Sequence, residues 1–259
     1  MFLEERQLKV CEFLKTNGPA TVQALSKKFD ISLPTVRRDL NRLEKQNLIT
    51  RTHGGAMIKT DVNNIFIDTS LPGRVRKFIK EKEEIAKYVV SNLIKPGDTI
   101  ILDTGTTTFK IASLLRQYDI KGIKVITNSV RNALELSTCQ GITHILVGGK
   151  LKPDVMAMVG PSAIKSLDGF HVDKAFIGIS GLHWENGLTD VDPEEAQVKR
   201  EFLKISKEKI VVADRSKFGE TLFVKVCPIS EINIIVTNSG LDSKLKEKFE
   251  KTGIDFIFV

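Results

Sequence analysis

Apolar side chains recur at helical spacing through the first part of the chain and in short continuous blocks through the rest. Leu3, Val10, Cys11 and Leu14 mark one side of a predicted helix over residues 4–15, stopped by the stretch TNGP. Val22, Leu25 and Phe29 mark a second helix behind Thr21, a good N-cap. After the turn DIS comes LPTVRRDLNRLEKQ, a third helix that Ser32 can cap and whose first turn tolerates Pro34. Leu33, Val36, Leu40 and Leu43 predict its buried side, while Thr35, Arg37, Arg38, Asn41, Arg42 and Lys45 point elsewhere. NLITRTHGGAMIK then predicts two short strands, 48–51 and 56–58, around a Gly54-Gly55 turn.

Residues 59–79 lack helical or alternating order and contain Asn, Asp, Pro and Gly, so they are expected to form a linker. Beyond them the pattern turns regular. A helix that stops at Pro96-Gly97 precedes apolar strands at 99–103, 124–128, 143–149, 174–181, 209–214, 232–237 and 254–259. Helices are predicted from near Phe109, near 130–136 and 161–167, and over 194–206 and 242–251. Near-continuous apolar strands alternating with helices imply a mostly parallel sheet covered on both faces. The expected division is 1–58 for a winged helix-turn-helix domain, 59–79 for the linker and 80–259 for a Rossmann-like α/β domain.

Charge sharpens the first domain. Residues 1–60 hold 11 Lys and Arg against 6 Asp and Glu, most of the chain's formal +7. That excess suits a partner that is a polyanion. A helix, a tight turn and a second helix with polar residues near its start can seat that second helix in a major groove. The DNA-facing candidates are Ser32, Thr35, Arg37, Arg38, Asn41 and Arg42 on the helix, with Arg51 and His53 on the wing. A three-helix protein–protein module with a solvated basic face is the alternative. Three scattered cysteines imply no disulfide framework, and apolar runs of strand length fall short of a membrane span. With no signal-peptide layout at the N-terminus, a cytoplasmic location is expected.

In the larger domain, polar residues gather where strands end. Asp103-Thr-Gly-Thr-Thr-Thr108 follows one strand, Thr127-Asn-Ser129 another and Gly148-Gly149 a third. Gly178 to Gly181 end a fourth and Asp214 a fifth. Such ends are where open α/β sheets bind ligands, and glycines beside a helix start offer unpaired N–H groups to an anion. Lys199 and Lys217 could neutralise its charge. Trp184, beside His183 in a polar loop, is a candidate lid or oligomer contact. The chain lacks a Walker-type loop, a G-x-G-x-x-G motif, a nucleophile elbow and metal-ligand spacing of its histidines, so neither cofactor nor metal is expected.

The stretch SLPTVRRDLNRLEKQNLITRTHGGA resembles the N-terminal signature of the DeoR family of bacterial transcriptional regulators, through Ser32, Thr35, Val36, Arg37-Arg-Asp-Leu40, Leu43-Glu44 and Arg51-Thr-His-Gly-Gly-Ala56. LDTGTTT, VITNS, LVGG, DKAFIGISG, GLTDVDPEEAQVKR and ADRSKFG resemble, in order, that family's sensor domain. The resemblance implies a fold like that of ribose-5-phosphate isomerase, a phosphorylated sugar as effector and double-stranded operator DNA as partner. It implies phosphate and hydroxyl contacts from Asp103, Gly105, Thr106 and Thr107, with Thr127 and Asn128 lining the same pocket. Glu195, Lys199, Asp214 and Lys217 match its later polar motifs, and Gly149, Gly178 and Gly181 complete the candidate effector site. The expected molecule is a repressor of sugar-metabolism genes, assembled as a homodimer or homotetramer. The alternative is an isomerase-like enzyme with an added nucleic-acid module. FIGISGL carries no acid where the isomerases place carboxylates, which weighs against that alternative.

Overall fold

The structure, a computed structural model, describes residues 6, 9–11, 13–14, 17–45, 49–52, 54–58, 78–118 and 120–259. The chain divides into two compact units, Met1–Gly73 and Arg74–Val259. Most of the expected linker, 59–77, lies outside the described residues, as do Leu3, Leu48 and His53.

In the first unit, residues 9–11, 13 and 14 are helical, followed by β1 (Ala20–Thr21), α1 (Val22–Phe29) and α2 (Leu33–Lys45). The Thr21 hydroxyl accepts from the Ala24 amide at 3.1 Å, the expected cap. Asp30, in the left-handed region at φ 51°, closes α1. Val10, Cys11, Leu14, Val22, Leu25, Val36, Leu40 and Leu43 form one core with Ile49 and Ala56. Leu33 departs from the expectation, since it is 40% exposed. It occupies the first position of α2, where the apolar stripe overhangs the core before reaching it.

Strands β2 (Ile49–Thr52) and β3 (Gly55–Ile58) pair antiparallel, with Thr52 opposite Gly55. The two glycines therefore do different work. Gly54, at φ +88°, belongs to the turn, whereas Gly55 is already in the ladder. A Cβ on Gly55 would lie 2.2 Å from the Ala20 carbonyl oxygen, because β1 pairs with β3 there. The two-residue β1 had no signal in the sequence.

The second unit contains a seven-stranded sheet ordered β15-β14-β12-β9-β4-β5-β6, parallel throughout. Its strands are β4 (Thr99–Leu102), β5 (Ile123–Thr127), β6 (Ile142–Leu146), β9 (Val172–Ile177), β12 (Ser206–Val212), β14 (Ile234–Thr237) and β15 (Asp255–Phe258). Helices α3 (Ile79–Tyr88, running on into a π turn at Val89–Leu93), α4 (Thr106–Leu115) and α5 (Val130–Leu136) cover one face. Helices α6 (Pro161–Lys165), α7 (Pro193–Ile205) and α8 (Ser243–Glu250) cover the other. Alternation along the strands divides the two cores. Ile100, Leu102, Val125, Phe176, Ile210, Val212 and Val236 face the first layer, and Ile101, Ile126, Ala175, Ile177, Val211 and Ile235 the second.

Two antiparallel additions were not expected. Strands β7 (Lys150–Lys152) and β8 (Ala157–Val159) form a hairpin. Strands β10 (Gly181–His183), β11 (Gly187–Asp190) and β13 (Val224–Cys227) form a small sheet. The predicted strand 174–181 is thus the end of β9, a break and the start of β10.

Candidate functional site

Strand β4 comes first in the large sheet; β5 and β6 follow on one side, and β9, β12, β14 and β15 lie on the other. The β4/β9 seam is therefore the point where strand order reverses, and the crevice beyond its carboxyl ends is where such sheets hold ligands. Asp103 to Thr108 leave β4 at that seam, and Gly178 leaves β9 beside them. A Cβ on Gly178 would lie 3.8 Å from both the Gly105 Cα and the Asp103 Oδ2, so the two turns touch.

Helix α4 starts at Thr106, earlier than the expected start near Phe109, and the Phe109 amide donates to the Gly105 carbonyl at 3.0 Å. Thr106 and Thr107 are consequently in the first turn, where backbone N–H groups have no intrahelical acceptor. Neither hydroxyl has a hydrogen-bond partner among the described residues, although Thr107 is only 6% exposed. Their neighbours are committed internally. The Thr108 hydroxyl donates to the carbonyls of Asp103 (2.6 Å) and Gly105 (3.0 Å). Asn128 Oδ1 accepts from the Thr104 amide and hydroxyl, both at 3.0 Å, and so fixes the loop. Thr127 is fully buried; its hydroxyl donates to the Leu102 carbonyl at 2.6 Å and accepts from the Ser129 amide at 3.1 Å. Thr127 supports the turn and does not reach into it.

Lys199, projecting from α7, organises the seam. Its ammonium donates to Asp103 Oδ2 and to the Gly178 carbonyl (2.9 Å), and lies 3.6 Å from Asp190 Oδ2. Asp103, Asp190 and Lys199 are each at most 2% exposed. Burial pulls the ammonium down, but Asp103, Asp190 and Glu195 more than offset it and hold it above the ordinary lysine value. Burial pushes the Asp103 carboxyl up despite the pull of Lys199, with Asp190 adding to the rise. The Ser180 hydroxyl donates to Asp190 Oδ1 at 2.9 Å. FIGISGL itself lacks an acid, yet β11 delivers Asp190 to that place, a contribution invisible in the local sequence. Asp103 and Asp190 are both engaged by a protonated lysine, which is a poor arrangement for a general base.

The remaining candidates spread around the same sheet edge. Asp214 follows β12; its Oδ1 accepts from the Ser216 amide at 3.1 Å, and its Oδ2 lies 3.9 Å from the buried Lys82 of α3. Lys217 is half-buried in the short turn Arg215–Lys217 that Asp214 caps. Lys82 stands in register with Ile85, Ala86 and Val89, and a lysine on that apolar face was the available signal for it. Glu195 is buried 3.8 Å from Lys152. Lys152 also pairs with Asp192, and Lys150 with Glu194 at 2.8 Å. These pairs fasten the β7–β8 hairpin to the start of α7. On its other side the hairpin exchanges backbone bonds with the turn after β5, Met158 N to Asn128 O at 2.8 Å and Val130 N to Met156 O at 2.9 Å.

Two candidate glycines serve packing. A Cβ on Gly149, at φ +130°, would meet the Val159 carbonyl oxygen at 2.7 Å and the Ala163 Cβ at 2.9 Å. One on Gly181 would meet the Thr189 Oγ1 at 2.6 Å. Trp184 is also packed: it stacks on His183, meets Phe249 edge-on at 6.1 Å and carries Lys248 3.8 Å from its ring. The open groove lined by Phe170, His171, Glu201 and Lys204 lies under the opposite ends of β9 and β12, away from all these residues. Among the described residues no group of His, Cys, Asp and Glu could hold a metal ion, and no helix is long and apolar enough to cross a membrane.

On α2, Arg37, Arg38, Asn41 and Arg42 are exposed and Thr35 is half-buried. Ser32 and Thr35 share a hydroxyl hydrogen bond of 2.8 Å at the helix start. On the buried side Asp39 takes a fork from Arg6, at 2.6 and 3.1 Å, which ties α2 to the N-terminal helix. Arg51 reaches from the wing to Asn41, with Nη1 donating to Oδ1 at 2.6 Å.

The family model described as the DeoR-like helix-turn-helix domain matches residues 6–62, and that of the DeoR C terminal sensor domain matches residues 77–239. The HTH-type transcriptional repressor GlcR of Bacillus subtilis strain 168 is 36% identical, over 99% of this chain and 96% of its own. The glycerol-3-phosphate regulon repressor of Escherichia coli strain K12 is 31% identical, over 91% of this chain and 90% of its own. The ribose 5-phosphate isomerase A of Methanocaldococcus jannaschii overlays with a TM-score of 0.39 at 20% identity, covering 55% of this chain and 53% of its own, too slight a likeness to carry an argument. An exposed basic helix, the two matched family models and two relatives named as repressors agree on a transcriptional regulator. The chain belongs to the DeoR family of transcriptional regulators.

Proposed function

We propose that the protein is a repressor of sugar-metabolism genes whose hold on operator DNA is set by a phosphorylated sugar bound at the β4–α4 turn. The head comprises residues 1–58, the connecting segment 59–79 and the sensor 80–259. The observation that carries the reading is the pair Thr106 and Thr107, whose hydroxyls have no partner among the described residues. They stand in the first turn of a ten-residue helix at the strand-order reversal. Two hydroxyls, free N–H groups and the positive end of the helix dipole together suit a phosphate.

Asp103, Gly105 and Gly178 form the floor beneath that phosphate, with Lys199 holding Asp103 in place. Glu195, Asp214 and Lys217 face the sugar hydroxyls, Asn128 fixes the turn, and Gly149 and Gly181 maintain the walls. A relative named for the glycerol-3-phosphate regulon supports a phosphorylated effector. On DNA, Ser32, Thr35, Arg37, Arg38, Asn41, Arg42, Arg51 and His53 form the contact surface, and a homodimer or homotetramer presents two such heads to paired half-sites.

A thermal-shift screen of phosphorylated sugars, followed by operator titration with each hit, tests the reading. It expects at least one compound that raises Tm and changes operator affinity. A stabilising compound that leaves DNA binding unaltered, or the absence of any stabilising compound, would reject it.

A further inference from the structure

We infer that Arg51 and Asn41 read DNA as one unit, with Arg51 acting as the positioning residue that sets which edge of the Asn41 amide faces a base. The inference rests on α2 being the recognition helix. Arg51 has three bonds inside the unit: its Nη1 donates to Asn41 Oδ1 at 2.6 Å, its Nε to the Gly55 carbonyl at 3.2 Å, and its backbone amide to Glu44 Oε1 at 3.3 Å. The Gly55 carbonyl is a fixed anchor, because β1 closes on that residue so tightly that no side chain fits there. With Nε donating to that carbonyl and Nη1 of the same rigid plane donating to Asn41 Oδ1, the two bonds together fix the guanidinium.

That contact also settles the amide's orientation. A guanidinium only donates, so the atom of Asn41 facing it has to be the oxygen. Nδ2 then points away from the wing, on the exposed side of α2. A free asparagine can flip and can take adenine by donating and accepting together. With its oxygen turned to Arg51, Asn41 leads with a donor. It accordingly suits guanine, adenine and thymine, each of which offers an acceptor in the major groove, and disfavours cytosine, whose group there is a donor. The role differs from a phosphate contact by Arg51, which would weaken all sequences alike.

The test uses the full chain. A consensus site is selected from a randomised duplex pool, and each of its positions is then varied through all four bases. Wild type, Arg51→Ala, Arg51→Lys, Asn41→Ala and the Arg51→Ala/Asn41→Ala double variant are titrated at several salt concentrations, with thermal melts as a folding control. One position should discriminate against cytosine by roughly tenfold in wild type, the scale of one good base contact. Asn41→Ala and Arg51→Ala should each abolish that preference at the same position, and the double variant should lose no more than either single one. Arg51→Lys should fold and keep the salt dependence yet lose the preference, because an ammonium cannot hold both acceptors in a fork. Arg51→Lys retaining the full preference would overturn the proposal. So would Arg51→Ala weakening every sequence equally with a salt slope lower by about one unit. If Arg37→Ala and Arg38→Ala leave binding untouched, the recognition-helix reading fails first, and the pair with it.

Discussion

The ammonium of Lys199 donates to the carboxylate of Asp103, 96 positions away in the chain, and the pair closes the seam between β4 and β9. Replacing the lysine by methionine would leave Asp103 and Asp190 buried without their cation. Lys199→Met should lower stability by about 3–5 kcal/mol, as expected when one partner of a buried ion pair is removed. The pH dependence gives the sign. Asp103 already sits above the usual carboxylate value through burial, and loss of Lys199 raises it further. A folded-state value above the unfolded one means that the folded form gains stability as protons bind. The variant should therefore become more stable as pH falls from neutrality towards the unfolded value of 3.8, in urea titrations at each pH, by more than wild type does.

Thr106→Val together with Thr107→Val removes two hydroxyls and keeps the shape of both side chains. Stability should change by less than about 0.5 kcal/mol per site, since neither hydroxyl has a partner among the described residues to lose. Operator affinity should stay at the wild-type level, while the Tm rise produced by an active phosphorylated sugar should disappear. A normal thermal shift in this variant would place the phosphate elsewhere.

Asp192 caps α7 and accepts from the amides of Glu194 (3.1 Å) and Glu195 (3.0 Å). Asp192→Ala should cost about 1 kcal/mol. Burial pushes this carboxyl up, but Lys152 and the two amides more than offset it and hold it below its usual value. Its contribution is thus complete above the unfolded value of 3.8 and is lost as pH falls through the lower folded value. The gap between wild type and variant should close in acid melts.

Gly149 and Gly178 should part company under substitution by alanine. Gly149→Ala places a methyl 2.7 Å from a backbone oxygen, at a φ that side chains rarely adopt. It should destabilise by on the order of 1–3 kcal/mol. Gly178→Ala meets only ordinary contacts at 3.8 Å and should leave the melting curve near wild type. Equal effects at the two positions would contradict the packing role of Gly149.

The large sheet was legible because its inner strands carry apolar blocks buried on both faces, with Ile100, Leu102 and Ile101 dividing their side chains between two cores. The small sheet was not. Its strands Gly181–His183 and Gly187–Asp190 are short and polar, and their burial comes from packing that no local period records. The β4–α4 turn could be found from its composition, but the helix begins at Thr106 because Gly105, and not a side chain, holds the capping position. Lys199 was identifiable as a charge near the site. Its partners were not, since Asp103 and Gly178 come from strands 96 and 21 residues before it. Leu33 shows the converse failure, a residue in perfect helical register that lies past the edge of what it should pack against.

Because every strand of the large sheet runs the same way, no two turns at its carboxyl edge follow one another without a return journey across a face. The turns after β4 and β5 are each held between a strand and a helix whose apolar residues belong to a finished core. A scaffold of this kind can exchange the wording of a single turn while the grammar of the sheet stays intact. One such chain can therefore give rise to sensors for different small molecules by local edits, without refolding the framework that reports them.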